Sequence, residues 1–384
     1  MNPDEMVDLN WNLTTVVFLL LAGIFIFSSL IQIFFQWYFF YRIKAFKDMK
    51  GDDAIHPPVS VVICARNELA NLRKLIPLLL EQDYPEFEIV IIDDRSDDPM
   101  YDFMLEQKSV HEKVKLVRIN YTPDGMNPKK FALTMGIRSA RHPNLLFTDA
   151  DCFPAGKHWI RSMAKHMHGK EEIILAYAPY HKQKGFLNLL IRYDTFYTAV
   201  QYFSFAMAGL PYMGVGRNLA YKKPLFMKLK GFNKHMPLTG GDDDLFVNRA
   251  SSEDNVSICL DEESYTFSNP KETWYDWYRQ KTRHLSVGKY YKSNHKWLLG
   301  LLAATNLMFY FTLIPLLFFP LGWQLSAGGA FLKILNQLIV LSGVNKRLKE
   351  PISIGLFPIL DFVHCMFIFA FSFPARFSRR ATWM

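Results

Sequence analysis

The first apolar run of the sequence extends from Thr14 to Tyr41 and contains no charged residue. Roughly 20 apolar residues in a helix are enough to cross the hydrocarbon core of a bilayer. The run follows acidic residues rather than the basic cluster of a cleavable signal peptide, and no small-residue cleavage site comes after it. We therefore predict a transmembrane helix over residues 14–41 that remains in the protein as an anchor.

Basic residues follow this run and none precedes it; they are Arg42, Lys44, Lys47 and Lys50. Positively charged loops are retained on the cytoplasmic side of a membrane. We therefore expect residues 1–13 to be extracytoplasmic and the chain after the helix to be cytoplasmic.

Further apolar segments predict a C-terminal membrane region over residues 297–373 with two or three hydrophobic helices. Trp297 to Pro320 is a strong span and Ile352 to Phe373 is another, whereas Lys333 and Asn336 interrupt the segment between them. Residues 345–350 and the basic tail, residues 374–384, both favour the cytoplasmic side. The last segment is therefore expected either to span against the charge rule or to be re-entrant.

Residues 51–296 are mixed in polarity and long enough for one globular domain with its own core. Much of the net charge of +8 lies beside the membrane segments, where anionic lipid attracts it. No nucleic-acid motif accompanies the charge, so membrane lipids are expected partners and nucleic acid is not. The four cysteines are widely spaced, which favours a reduced compartment without structural zinc.

Strand and helix patterns alternate through the first half of this domain. Strand patterns at residues 59–64, 88–92, 114–119 and immediately before Asp149 are separated by helical patterns. This alternation predicts an α/β domain with a mostly parallel sheet and crossover helices. In such sheets the ligand lies beyond the carboxyl ends of the strands.

Polar side chains follow three of these strands, and we expect them to converge on one crevice. The residues are Arg66, Asn67 and Glu68 after the first strand, Asp93 and Asp94 after the second, and Asp149 and Asp151 after the fourth. A hard divalent cation with oxygen ligands would offset the repulsion between paired carboxylates, and a nucleotide diphosphate commonly completes its coordination. The alternative is that the last pair are solvated turn residues, which is the commoner fate of an isolated Asp-x-Asp.

Three later features suit the same chemistry. Lys129 opens a predicted helix, from which it could approach a base or phosphates. Asp242, Asp243 and Asp244 precede a helical pattern; capping would explain one of them, and a carboxylate beside an acceptor hydroxyl would act as a general base. The segment from Trp274 to Tyr291 carries Gln280, Arg283 and His284, although its aromatic residues also predict an interfacial helix.

Taken in order, these motifs resemble glycosyltransferase family 2, and more narrowly its membrane-embedded members such as cellulose, hyaluronan and poly-N-acetylglucosamine synthases and ceramide glucosyltransferase. The matching stretches are VSVVICARNE, IVIIDDRSDD, PKKFALTMG, TDAD, GGDDDLF and QKTRH. The resemblance implies a GT-A fold, a Rossmann-like and mostly parallel sheet, over residues 51–270. An interfacial amphipathic segment, residues 271–296, would join this cytoplasmic domain to the flanking transmembrane helices of a bacterial inner-membrane protein.

The resemblance also implies roles for the residues that match its motifs. The donor would be a nucleotide sugar, with UDP the expected nucleotide, and Asp149 and Asp151 would hold Mg2+ or Mn2+ on its diphosphate. Asp242 would be the general base, with Asp243 as the alternative. The remaining donor-binding residues would be Arg66, Asn67, Glu68, Asp93, Asp94, Lys129, Gln280, Arg283 and His284.

Two departures from the family pattern bear on the acceptor. Gly241 replaces the glutamate before the base, and His284 replaces the tryptophan that lines the acceptor site in processive members. Transfer of one sugar to a lipid, lipid-linked or glycan acceptor is therefore expected, with a processive polysaccharide synthase as the alternative. Gly185 to Leu210 would be either an amphipathic surface for that acceptor or a buried helix. A sugar nucleotidyltransferase should show a glycine-rich signature, and a silent membrane scaffold would tolerate loss of the carboxylates.

Overall fold

The computed structural model describes residues 13–48 and 56–377. Residues 1–12 of the predicted extracytoplasmic segment, residues 1–13, lie outside the described residues, as do the tail arginines Arg379 and Arg380. The chain opens with helix α1 (Leu13–Phe34), which continues through a π-helical turn (Phe35–Phe40) into α2 (Tyr41–Ala45).

A seven-stranded sheet forms the centre of the globular domain. Its strands are β1 (Val59–Ala65), β2 (Phe87–Asp94), β3 (Val114–Ile119), β4 (Asn144–Phe147), β6 (Ile173–Ala176), β7 (Leu219–Lys222) and β8 (Val256–Cys259). The strand order is β3-β2-β1-β4-β7-β6-β8, with β7 antiparallel to both of its neighbours and the other pairs parallel. The predicted mostly parallel α/β sheet is therefore confirmed. Strands β5 (Cys152–Pro154) and β9 (Thr266–Ser268) pair separately.

Helices cover both faces of the sheet, whose central strands are largely apolar and completely buried. Every residue of β1 and β2 is buried, as expected for parallel strands inside an α/β domain. The covering helices and shorter helices of the domain are α3 (Leu69–Leu80), α4 (Met100–Val110), α5 (Pro128–Ser139), α6 (Trp159–Ala164), α8 (Lys223–Lys228) and α9 (Asp244–Ala250). In α5, Pro128 occupies the first turn and the Asn127 side chain accepts a hydrogen bond from the Lys130 amide, so the sequence fixes where this helix begins.

Long helices dominate the rest of the chain: α7 (Phe186–Met207), α10 (Trp274–Val287), α11 (Ser293–Leu316), α12 (Gly322–Arg347) and α13 (Phe357–Phe377). Helix α7 is largely buried, which is the second of the two predicted alternatives for this segment. Among the described residues, 4 helical segments are long and apolar enough to cross a membrane: Leu13–Ala45, Ser293–Leu316, Gly322–Arg347 and Ile354–Ala375.

The charge that interrupts the predicted middle span has a partner inside the helical bundle. Lys333 of α12 lies 3.1 Å from the Asp361 carboxylate of α13 and also donates to the Asn306 side chain of α11. A buried charge that is paired and hydrogen-bonded costs far less than an isolated one. Lys333 therefore connects α12 with α11 and α13, and its charge does not prevent this segment from spanning a membrane.

Contacts between side chains fix the apolar helices to the globular domain. Trp274 and Trp277 of α10 pack against Phe367 and Phe371 of α13, with ring centroids 5.5 and 5.4 Å apart for the pairs Trp274–Phe367 and Trp277–Phe371. In the loop after α12, Glu350 accepts hydrogen bonds from Arg192 of α7 and from the Tyr177 hydroxyl, at 2.8 Å each. The Glu350–Arg192 pair is almost completely buried.

We predict that Glu350→Ala destabilises the protein by about 3–5 kcal/mol, because it leaves the Arg192 guanidinium buried without its counter-charge. Glu262→Ala is the matched control, since Glu262 forms only an exposed pair with Lys349 and should cost about 0–1 kcal/mol. Thermal unfolding of both variants in detergent measures the difference. Equal losses of stability would contradict a structural role for the buried pair.

Candidate active site

The centre of the site is a lysine placed between two acidic segments that are far apart in sequence. Lys129, in the first turn of α5, lies 3.3 Å from the Asp149 carboxylate, which follows β4, and 3.1 Å from the Asp242 carboxylate, which precedes α9. The ammonium group therefore connects the Asp-x-Asp segment with the candidate base. The three side chains remain partly accessible, Asp149 the most, with 36% of its side chain exposed.

The charge of Lys129 sets the protonation of Asp242. Burial alone would raise the pKa of this carboxyl, but the Lys129 ammonium and its hydrogen bond outweigh burial, and the pKa is lowered below its usual value. Asp242 is therefore ionised at neutral pH and able to accept a proton. Its carboxylate faces the cavity described below.

The carboxylates of the other two aspartates of the triplet accept hydrogen bonds from backbone amides. The Asp243 carboxylate accepts hydrogen bonds from the amides of Gly216 and Asp244, at 2.7 and 2.8 Å, and so caps α9. Asp244 accepts from the Leu245 amide and the Tyr291 hydroxyl. Burial and the neighbouring Asp243 charge raise the pKa of Asp244 to about 7.

The donor atoms of Asp149 and Asp151 suit a hard divalent cation. Oxygen atoms of these two carboxylates and the Cys152 sulfur all lie within 4.8 Å of one another. Burial and the Asp149 charge raise the pKa of Asp151, as expected for two carboxylates that face each other without a cation. Cys152 is fully buried and burial raises its pKa well above the usual value, so its thiol stays protonated. The two carboxylates are the fitting ligands, and Mg2+ or Mn2+ matches their chemistry.

Asp93 and Asp94 are the last two residues of β2. Both are fully buried; Asp93 accepts from the Ser96 amide and Asp94 pairs with Arg95 at 2.9 Å. Within the described part of the chain, the second carboxylate oxygen of each has no hydrogen-bond partner. Buried acceptors of this kind are normally satisfied, so a ligand donor fits here.

The turn after β1 is hydrogen-bonded to the turn after β2. The Asn67 side-chain oxygen accepts a hydrogen bond from the backbone amide of Asp97 at 2.7 Å, and the backbone amide of Asn67 donates one to the Ser96 hydroxyl. Asn67 adopts a left-handed conformation, with φ of 55°, which asparagine tolerates better than most residues. Half-buried Arg66 precedes it, and burial raises the pKa of Glu68, to which the Asp151 and Asp149 charges contribute.

A cavity of 690 Å3 opens beside the acidic residues and is lined by the predicted α10 motif. Gln280, Arg283 and His284 all line it together with Asp149 and Asp242. His284 is exposed to the cavity, yet enclosure by protein and the Arg283 charge lower its pKa to about 3, so its ring is neutral near pH 7. The structure thus brings the carboxylates and the α10 motif to one space.

Arg217 also lines this cavity, although the sequence analysis did not select it. Its guanidinium lies 4.2 Å from the centre of the Tyr180 ring, donates to the Ser268 hydroxyl, and interacts with the charges of Asp149 and Asp151. The only local signal is the run Gly214-Val215-Gly216 before it, which places backbone close to the site. A single arginine after two glycines does not specify such a position by itself.

Comparison with known proteins identifies the class of this domain. Residues 60–228 match the model of the family described as Glycosyl transferase family 2. The curated Probable glycosyltransferase YdaM of Bacillus subtilis (strain 168) is 24% identical over 244 residues, or 61% of this chain. The match spans 56% of the length of that relative.

A solved structure confirms the architecture. The mannosyltransferase PcManGT from Pyrobaculum calidifontis, determined in complex with GDP-Man and Mn2+, superposes with a TM-score of 0.58 at 16% identity, over 92% of this chain and 99% of that chain. The predicted GT-A fold is therefore confirmed, as is the resemblance to family 2.

We predict that Asp243→Ala lowers the stability of the protein by about 1–2 kcal/mol, because the α9 cap and the bond to the Gly216 amide are lost. Asp242→Ala should have a much smaller effect on stability, since Lys129 keeps its contact with Asp149. Thermal unfolding of the two variants tests this division between a structural and a functional aspartate. A larger loss for Asp242→Ala would reverse it.

Proposed function

We propose that this chain is a membrane-bound, inverting glycosyltransferase that moves a hexosyl or N-acetylhexosaminyl group from a nucleotide sugar to an acceptor presented at the membrane. The observation that carries the proposal is the position of Lys129 between Asp149 and Asp242. In this geometry, the carboxylate proposed to bind the diphosphate and the proposed base lie on two sides of one ammonium group. The family 2 match supports the same reaction class.

The nucleotide would bind at the buried end of the crevice. Within the described residues, Asp93 and Asp94 each have one carboxylate oxygen without a hydrogen-bond partner, although the one of Asp93 lies 3.9 Å from the Arg118 guanidinium. Each of these oxygens could accept a hydrogen bond from a base or ribose. We propose UDP as the nucleotide because the turn after β2 resembles the uridine-binding turn of the family. The structural neighbour carries GDP-Man, so a donor screen must include both nucleotides.

Asp149 and Asp151 would hold Mg2+ or Mn2+, with Asp151 the more direct ligand. A bound cation of this class offsets the charge that develops on the departing diphosphate. Arg217 and Arg283 would stabilise the same charge from the protein side, since both line the cavity beside Asp149. A Cβ atom at Gly240, two residues before Asp242, would lie 4.0 Å from the Arg283 side chain.

Asp242 would accept the proton of the attacking acceptor hydroxyl. The acceptor oxygen forms a bond to the anomeric carbon while the bond from that carbon to the diphosphate oxygen breaks and its electron pair leaves with the nucleoside diphosphate. Attack from the face opposite the leaving group inverts the anomeric configuration. Asp243 is the weaker candidate because both of its oxygens already serve backbone amides.

The membrane anchors would hold this site at the cytoplasmic face. Arg42 and Lys44 lie at the end of the first apolar segment that precedes the domain, as the positive-inside rule requires. At the end of α12, Arg347 pairs with Asp48 and donates to the Leu260 carbonyl of the domain. The C-terminal end of the first apolar segment and the C-terminal end of α12 are therefore both on the side of the membrane helices that faces the globular domain.

We predict that nucleotide release from a UDP- or GDP-sugar requires Mg2+ or Mn2+ and is lost with EDTA. Asp151→Ala and Asp149→Asn should lower turnover by about 100-fold or more, since metal assistance contributes several kcal/mol. Asp254→Asn is the control because, within the described part of the chain, this carboxylate forms only an exposed pair with Lys170. Metal-independent turnover would refute the metal site, and absence of turnover with every donor would favour a silent scaffold.

We predict that Asp242→Asn retains nucleotide-sugar binding while turnover falls about 10²- to 10⁴-fold.

The proposed role of Asp242 as the base also predicts how the reaction rate depends on pH. Because Lys129 lowers the pKa of Asp242, the acid limb that belongs to this base should lie below the ordinary range of an aspartate, and Lys129→Met should move that limb to higher pH. The pH–rate profiles of wild type and Lys129→Met measure the shift. An unchanged acid limb, or full turnover in Asp242→Asn, would exclude Asp242 as the base.

A further inference from the structure

The cavity at the active site does not end within the globular domain. From Asp149 and Asp242 it continues between two of the helices that are apolar and long enough to span a membrane, α11 and α13. Most of the lining residues on these helices are apolar, among them Gly300, Ala303, Ala304 and Leu307 of α11 and Ile368 and Phe369 of α13. The polar lining residues of the two helices are Lys296, Asn306, His364 and Ser372. One continuous space therefore joins the proposed base to the membrane region.

Small side chains keep this space open on the α11 side. Gly300, Ala303 and Ala304 are spaced three and four residues apart, so they share one face of the helix, and all three are exposed. Among the described residues, a Cβ atom at Gly300 would find nothing within 4 Å. The opposing wall includes Phe369, whose side chain is 55% exposed. The apolar part of the cavity is thus accessible along α11.

Where the cavity passes from the domain to the membrane helices, its charged groups neutralise one another. Asp194 of α7 lies 2.7 Å from the Lys281 ammonium of α10 and 3.0 Å from the His364 ring of α13, and all three residues line the cavity. Because these charged groups are already paired with one another, they attract a charged ligand only weakly. The cavity therefore has a charged end at Lys129, Arg217 and Arg283 and an apolar end along α11.

We propose that the acceptor is a membrane lipid whose hydrocarbon chain occupies the cavity between α11 and α13 while its headgroup oxygen reaches Asp242. This inference rests on the proposed glycosyl transfer and names its second substrate. A cavity of 690 Å3 lies within the range of ligand sites. A soluble glycan would leave the apolar walls without a partner, whereas a lipid matches both ends. The nucleophile is a hydroxyl or phosphate oxygen on that lipid.

The test is an acceptor series at fixed donor and metal concentration in detergent. It comprises lipid alcohols of increasing chain length, polyprenyl phosphates, and a soluble oligosaccharide. We expect kcat/KM to rise about fourfold per added methylene, the equivalent of about 0.8 kcal/mol, and to level off once the cavity is full. The alcohol and phosphate arms distinguish the two headgroups. Equal or better transfer to the soluble oligosaccharide would overturn the proposal.

A matched pair of glycine variants tests where the chain lies. Gly300→Phe fills the cavity and should shorten the chain length at which kcat/KM levels off, with at least a tenfold loss for the longest acceptors; Ala304→Phe should do the same. Gly328→Phe is the control, because Gly328 on α12 is also exposed and also has nothing within 4 Å of a Cβ, yet does not line the cavity. An unshifted profile in both cavity variants, or the same shift in Gly328→Phe, would refute this location.

A binding measurement separates failure of this inference from failure of the proposed function. In a Cys365→Ser background, Ala304→Cys is labelled with a maleimide, and a long-chain alcohol should slow labelling at least fivefold without donor or metal. Protection without turnover with any donor would reject the transferase and retain the lipid site. Turnover without protection by any lipid of the series would reject the lipid site and retain the transferase.

Discussion

The site depends on the ion pairs that Lys129 forms with Asp149 and Asp242. Without a cation between them, carboxylates gathered at the ends of buried strands would repel one another and be partly protonated. Asp151 and Asp243 show this effect, because burial and a neighbouring aspartate raise the pKa of each. One buried ammonium group lets the two acidic segments approach while Asp242 remains ionised.

The sheet makes this arrangement possible. In parallel strands the carboxyl ends share one edge, and β1 pairs with both β2 and β4, so the turns after all three strands meet there. Strand β7 then adds antiparallel to β4, which returns the chain so that Arg217 precedes a strand beside Asp149. The apolar helices extend the same edge into a cavity that continues along α11.

Much of the domain could be predicted from local patterns. The strand ending before Asp149, the helix opened by Pro128 and the Asn67 turn are each specified by a few neighbouring residues, and their order implies where they converge. The identity of the ionised aspartate could not be predicted in the same way. Asp242, Asp243 and Asp244 are equivalent in sequence, and only the positions of Lys129, the Gly216 amide and the Tyr291 hydroxyl separate them.

The sequence by itself determined the class of fold, the resemblance to glycosyltransferase family 2 and the apolar segments, because hydrophobic periodicity and short motifs are local properties of the chain. Tertiary structure alone decided that Arg217 joins the site, that Lys333 is paired with Asp361, and that Gly300 borders the same cavity as Asp242. These facts depend on contacts between residues far apart in the chain. Their energies come from burial and charge pairing, which no single segment specifies.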